Sequence, residues 1–110
     1  MKNKNLYKGT LESLIFQLLR VNNRMYGYEI SKTIKQLTNN EMHISESKLY
    51  PTLHKLEADG MLEVEVESTG TRLRKYYKLT EKGVKESQTY LEELKKYIFS
   101  LSNFVELKIS

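Results

Sequence analysis

The spacing of apolar residues in this 110-residue chain changes period once, at Leu62, and that change limits the possible folds more than any other feature. Up to Gly60 the apolar residues recur every three or four positions. From Leu62 to Glu67 the order Leu-Glu-Val-Glu-Val-Glu alternates strictly, which sets one face of an extended segment against a core and the other in water. Ser68-Thr69-Gly70-Thr71 reads as a turn, and Arg72 to Leu79, rich in Leu and Tyr, as the returning strand. A lone two-stranded hairpin is marginally stable in water, so it must lean on the helices around it.

Leu11, Leu14, Ile15, Leu18 and Leu19 follow the i, i+3, i+4, i+7, i+8 pattern of a core-facing helix. Thr10 is its expected cap, Glu12 suits the positive end of its dipole, and Asn22-Asn23 ends it. A second helix is expected from about Gly27 to Leu37, with Ile30, Ile34 and Leu37 on one face and Thr38-Asn39-Asn40 as its stop. Ser45 is placed to cap a third helix, which runs to about Asp59 with Leu49, Leu53 and Leu56 inward. Gly60 takes the position after the helix where a left-handed residue is wanted. Pro51, in the second turn, should cost a hydrogen bond and bend this helix. Beyond the hairpin, Thr80 caps a last helix, with Glu81 at its positive end. Three helices, a hairpin and a final helix predict an α+β, mostly helical chain. Residues 1–79 would form a winged helix-turn-helix DNA-binding domain, and 80–110 a long C-terminal dimerisation helix.

Composition narrows function by exclusion. With no cysteine, the chain has no disulfide, thiolate metal site or thiol nucleophile. At 39% hydrophobic and 29% charged it has the balance of a globular protein. No apolar run approaches the ~20 residues of a membrane span, and no apolar segment follows the basic start Met1-Lys2-Asn3-Lys4-Asn5, so a cytoplasmic location is expected. No pair of catalytic carboxylates, Ser–His–Asp set or glycine-rich phosphate loop is visible, so the chain reads as no enzyme and as holding no cofactor. His43 and His54 lack an acidic partner at metal-site spacing, and His54 reads as an exposed helix residue. Residues 1–60 hold nine basic and six acidic residues, 61–80 four and three, and 81–110 five and five. The excess of the +4 net charge thus lies in the first 80 residues, with Arg72, Arg74, Lys75 and Lys78 clustered on the second strand. Such a cluster suits a polyanion or, more simply, a solvated strand face.

Four spaced strings carry a resemblance. They are Met25-Tyr26-Gly27-Tyr28-Glu29-Ile30, Ser47-Lys48-Leu49-Tyr50-Pro51-Thr52-Leu53, Leu56-Glu57-Ala58-Asp59-Gly60, and Arg74-Lys75-Tyr76-Tyr77-Lys78-Leu79-Thr80-Glu81-Lys82-Gly83. Together, over roughly residues 9–85, the sequence resembles the PadR family of bacterial transcriptional regulators, in the form with a single C-terminal helix. The resemblance implies a homodimeric DNA-binding repressor. It also implies that Tyr50, before the proline, lies near the DNA backbone. Some members respond to phenolic acids or bulky aromatic drugs, and effectors vary within the family.

In such folds the third helix enters the major groove by its N-terminal end. Helical spacing opposite Leu49, Leu53 and Leu56 makes Ser47, Lys48 and Tyr50 the best groove candidates, with Lys55 flanking them. The alternative for Tyr50 is a half-buried aromatic covering the core edge, although the resemblance favours the contact. On the wing, Arg72 and Arg74 suit a narrow minor groove and Lys75 a phosphate; one or two of the arginines are also expected to pair in part across the hairpin with Glu63, Glu65 or Glu67 in the free protein and to be released to DNA. Tyr28, at the start of the second helix, either adds a hydroxyl to a phosphate held by free backbone N–H groups or packs against the first helix.

From Thr80 to about Leu107 a helix of about 27 residues would span ~40 Å and overhang a body roughly 25 Å across. Leu91, Leu94, Ile98, Leu101 and Val105 continue a 3-4 heptad seam that begins at Val84 and Ser87. This seam predicts a homodimer, the alternative being that the helix packs back on its own domain. Tyr90, Tyr97 and Phe104 recur every seven residues beside it. Tyr97 and Phe104, with Phe16 of the first helix as a third wall, form the candidate pocket for a small aromatic effector, or else simple packing. The function that follows is a sequence-specific, homodimeric repressor of an inverted-repeat operator in double-stranded DNA, relieved by such a ligand. The alternative is a winged-helix protein–protein module that never meets DNA.

Overall fold

The computed structural model describes the backbone of residues 4–107 and the side chains of residues 9–107. The basic start read in the sequence therefore lies outside the described side chains. The order is α1 (Lys4–Val21), β1 (Met25–Tyr26), α2 (Gly27–Leu37), α3 (Glu46–Ala58), β2 (Leu62–Thr69), β3 (Arg72–Leu79) and α4 (Glu81–Val105).

The core lies where α1, α2 and α3 meet one face of the hairpin. Leu11, Ile15, Leu18 and Leu19 of α1, Ile30 and Ile34 of α2, and Leu49, Leu53 and Leu56 of α3 are buried, with Met25, Met61, Leu62 and Tyr77 closing the sheet side. Burying about fifteen such side chains at roughly 1.5–3 kcal/mol each is the main stabilising force. Burial also pushes the Tyr77 phenol above its ordinary pKa.

The structure corrects several sequence expectations. Helix α1 begins at Lys4, so Thr10 stands inside it rather than at its cap, and Glu12 is no first-turn acid. Instead Glu12 is buried, facing Lys55 of α3 at 3.4 Å. Leu14 is only half-buried. Leu37, expected inward with Ile30 and Ile34, is 73% exposed, because the last turn of α2 runs past the core. Ser45 does stand at the N-cap of α3, but its hydroxyl meets that of Ser47 at 3.0 Å instead of a backbone N–H. Helix α3 runs through Pro51, which removes the N–H that would have met the Ser47 carbonyl.

The wing is longer than the alternation suggested. Strands β2 and β3 pair from Leu62↔Leu79 to Thr69↔Arg72, leaving a two-residue turn, Gly70-Thr71, with Gly70 at φ +65° where a side chain would be strained. β1 is a third strand that the sequence did not announce. It pairs with β3 through Met25↔Tyr77 and Tyr26↔Tyr76 and gives the sheet order β1-β3-β2. Thr80 caps α4 by accepting from the Gly83 N–H at 3.0 Å. It also ties α4 to the start of the wing, its hydroxyl 2.6 Å from the Gly60 carbonyl and its N–H donating to the Met61 carbonyl.

Candidate nucleic-acid interface

The hairpin register sorts the wing charges onto two faces. Cross-strand partners share a face. Arg72, Arg74, Tyr76 and Lys78 therefore share the outer face with Thr69, Glu67, Glu65 and Glu63, while Lys75 lies on the other face with Val66, Leu73 and Tyr77. That second face is buried at its base. Near its tip it leaves the body, so Val66 is 59% and Leu73 75% exposed. In sequence Arg72, Arg74 and Lys75 form one cluster; the structure divides them.

The acids of β2 are neutralised, but not by the wing arginines that sequence reasoning offered. Arg24, just before β1, places Nη1 2.9 Å from Glu65 and Nη2 2.5 Å from Glu67. Its guanidinium also lies 4.0 Å above the Tyr76 ring. Lys78 takes the other Glu65 oxygen at 3.2 Å. Lys78 first, and Arg24 after it, hold the Glu65 carboxylate below its ordinary pKa. Arg74 lies 4.5 Å over the Tyr26 ring, which meets Tyr76 edge-on at 5.6 Å. A pair of tyrosines flanked by two arginines, Arg74–Tyr26–Tyr76–Arg24, thus binds β1 to the wing. Arg24 was missed because nothing near it in sequence marks it. Its acids stand 41 and 43 residues away. Among the described residues, Arg72 and Lys75 make no ion pair.

Two of the sequence motifs turn out to be in contact. Gly27 opens α2 beneath Tyr50 of α3, and a Cβ added there would stand 2.5 Å from the Tyr50 hydroxyl. Tyr50 is half-buried at the core edge with its hydroxyl at the start of α2. Ser47 and Lys48 are exposed on the first turn of α3. Tyr28 is exposed rather than packed against α1, with Lys32 Nζ 6.0 Å from its ring centre. Lys55 departs from the groove assignment. It points to the buried Glu12 of α1 and to Asp59, at 3.4 and 3.9 Å.

Helix α4 packs its first half along α1. Ser13 donates to the Tyr90 carbonyl at 3.3 Å, the Phe16 and Tyr90 ring centres are 4.7 Å apart, and Ser87 is fully buried. Phe16 is likewise sealed under Tyr90, which removes it as a wall of an open effector pocket. Burial, then Glu12, raises the Tyr90 phenol pKa. Further along, Leu91, Leu94 and Tyr97 are half-buried. Ile98, Leu101, Phe104 and Val105 are exposed, Val105 at 82%. The molecule measures 63 × 29 × 22 Å. No described helix is long and apolar enough to cross a membrane. Among the described residues no three His, Asp or Glu stand together to hold a metal.

Three helices with α3 presented beside a basic two-stranded wing make this a winged helix-turn-helix protein. The family model that matches residues 15–89 is the transcriptional regulator PadR-like family. The chain belongs to that family, whose members are regulators of transcription and not enzymes. It is 34% identical over 110 residues to a protein of Lysinibacillus sphaericus, covering 97% of this chain and 94% of that one. A transcriptional regulator from Clostridium thermocellum superposes with a TM-score of 0.82 at 28% identity, over 96% of this chain and all of that one. Bacillus subtilis PadR, solved in complex with operator DNA, matches with a TM-score of 0.67 at 30% identity, over 74% of this chain and 45% of that one.

Proposed function

We propose that the chain is a homodimeric repressor that binds an inverted-repeat operator in double-stranded DNA. Residues 1–79 read the DNA and 80–110 hold the partner. The observation that carries this reading is the division of charge on the wing. Arg24 and Lys78 satisfy the acids of β2, which leaves Arg72 and Lys75 available to phosphates. A protein–protein module would be favoured had Arg72 and Lys75 been neutralised within the wing as Lys78 is. The likeness to a regulator solved on operator DNA supports the same choice.

Ser47 and Lys48 meet base edges, while Tyr28, the Tyr50 hydroxyl, Arg72, Arg74 and Lys75 meet the backbone. Leu91, Leu94, Ile98, Leu101 and Val105 form the dimer seam, since an exposed apolar row of this length calls for a partner. A planar aromatic effector would stack on Tyr97 and Phe104 between the paired α4 helices and relieve repression.

The test is anisotropy of a labelled duplex carrying the promoter of the protein's own gene, across a salt series. Two wings and two α3 helices neutralise about 6–8 phosphates, at about −0.9 in the slope of log K on log salt for each. A slope near zero overturns the reading.

A further inference from the structure

The connection between α2 and α3 does more than end a helix. Asn39 and Asn40 both take left-handed backbone, at φ +53° and +68°. Asn is the non-glycine residue that takes this conformation most readily, and it commonly ends a helix there. The turn is held firmly. The Asn40 N–H donates to the Lys35 carbonyl at 2.8 Å, Glu41 N–H to the Thr38 carbonyl at 2.9 Å, and Met42 N–H to the Thr38 hydroxyl at 3.0 Å. Its effect is to fold Asn40 and His43 back over the exposed stripe of α2. Between them lies a concavity of about 370 Å³, open to solvent on one side, with Ile44 at its lining.

The lining is rich in donors. Tyr28, Lys32, Lys35, Asn40 and His43 face it, and no carboxylate does, although the chain carries 14 acidic residues. The nearest acid along α2, Glu29, is turned to the Tyr26 N–H at 3.1 Å. Such a cavity suits an anion with several oxygens. His43 and Ile44 lead directly into Ser45, the N-cap of α3, so the concavity adjoins the end of the helix assigned to the groove. We propose that it seats the phosphodiester backbone beside the major groove, with Lys32 and Lys35 as the cations. It extends the DNA footprint past the N-terminal end of α3. This inference rests on the DNA-binding reading and is tested so that the two can fail separately.

The experiment compares the full chain with a Lys32→Ala/Lys35→Ala variant, both residues being exposed, and with Lys85→Ala, an equally exposed lysine of α4 outside the concavity. Circular dichroism checks that each is folded. Duplex binding is then followed over a salt series, with ethylation interference on the same duplex. The double variant should bind operator and unrelated duplex more weakly by the same factor, about 10-fold or more. Its salt slope should be shallower by about 1 for each phosphate it no longer neutralises, up to about 4 in a dimer. Ethylation interference should disappear at phosphates next to those contacted through α3 in each half-site, while Lys85→Ala keeps the parent slope. A double variant with parental affinity and slope overturns the concavity while the DNA reading stands; a parent that binds no duplex overturns both. A titration with inorganic phosphate at constant ionic strength separates the two sources of phosphate oxygens. Saturation below about 1 mM, abolished in the double variant while its DNA slope is unchanged, assigns the site to a free anion and overturns the backbone proposal.

Discussion

Replacing Gly83 by Ala tests the packing of α4 on the wing with one atom. The added Cβ would overlap the Met61 carbonyl oxygen and stand 3.0 Å from its carbon and 3.2 Å from Leu79 Cδ2. The obstacle is backbone, so no side chain can swing aside. The first turn of α4 must lift off the start of β2. Overpacking of this kind costs about 1–3 kcal/mol. The same Met61 oxygen accepts from Thr80 N–H at 3.0 Å and from the Thr80 hydroxyl at 3.1 Å, and each hydrogen bond loosened costs about 1 kcal/mol. Alanine returns up to about 1 kcal/mol of helix propensity. The net loss is about 2–3 kcal/mol, which for a domain of this size lowers Tm by roughly 10 °C. Gly9→Ala is the internal control. Gly9 lies inside α1 with nothing within 4 Å of an added Cβ, so the same change should gain about 0.5–1 kcal/mol. Both are read by thermal circular dichroism at one protein concentration, since any self-association makes Tm depend on concentration. If Gly83→Ala melts with its parent or above it, α4 does not approach β2 this closely and the reasoning is refuted.

Arg24→Ala should weaken duplex binding without changing the salt slope, because the Arg24 guanidinium is engaged in bracing the wing through Glu65, Glu67 and Tyr76; a slope that falls makes it a contact residue. Glu65 has a depressed pKa in the fold, so its contribution is present above its unfolded value and lost as the pH drops through the folded one. Melting curves of the parent should therefore fall toward those of Glu65→Gln below about pH 4.5, and a constant gap down to strong acid contradicts the pairing. Ile98→Ala, 55% exposed in the protomer, should leave the monomer's stability within about 0.5 kcal/mol yet shift the monomer–dimer midpoint in sedimentation, with the change present twice at a two-fold interface. Lys48→Ala should alter the sequence selected from random duplexes more than the affinity for unrelated DNA, each good base contact carrying about 1–3 kcal/mol of discrimination.

Much of the architecture is local and was therefore legible in the residues. The change of period at Leu62, the Thr80 cap, the left-handed Gly60 at φ +80° and the span of α2 all depend on neighbours within about four positions. The same locality misled at Thr10, where a glycine and a threonine before a run of leucines imitate a helix start while α1 continues back to Lys4. The motif strings proved to record packing as much as chemistry: Gly27 makes room for Tyr50, and Gly83 for Met61.

What the tertiary structure alone decided is whatever joins distant segments. β1 is two residues long, too short for any periodicity, and exists because β3 offers it an edge. Lys55 points to Glu12 of α1 because that carboxylate is buried beside it. Phe16 became core because Tyr90 lands on it, 74 positions later in the chain. The wing charges parted because the register of β2 on β3 assigns each side chain a face. A sequence fixes the period of each segment through short-range sterics. Which side chain meets which charge or ring depends on how the packed segments are placed, and that is set by burial of the core as a whole.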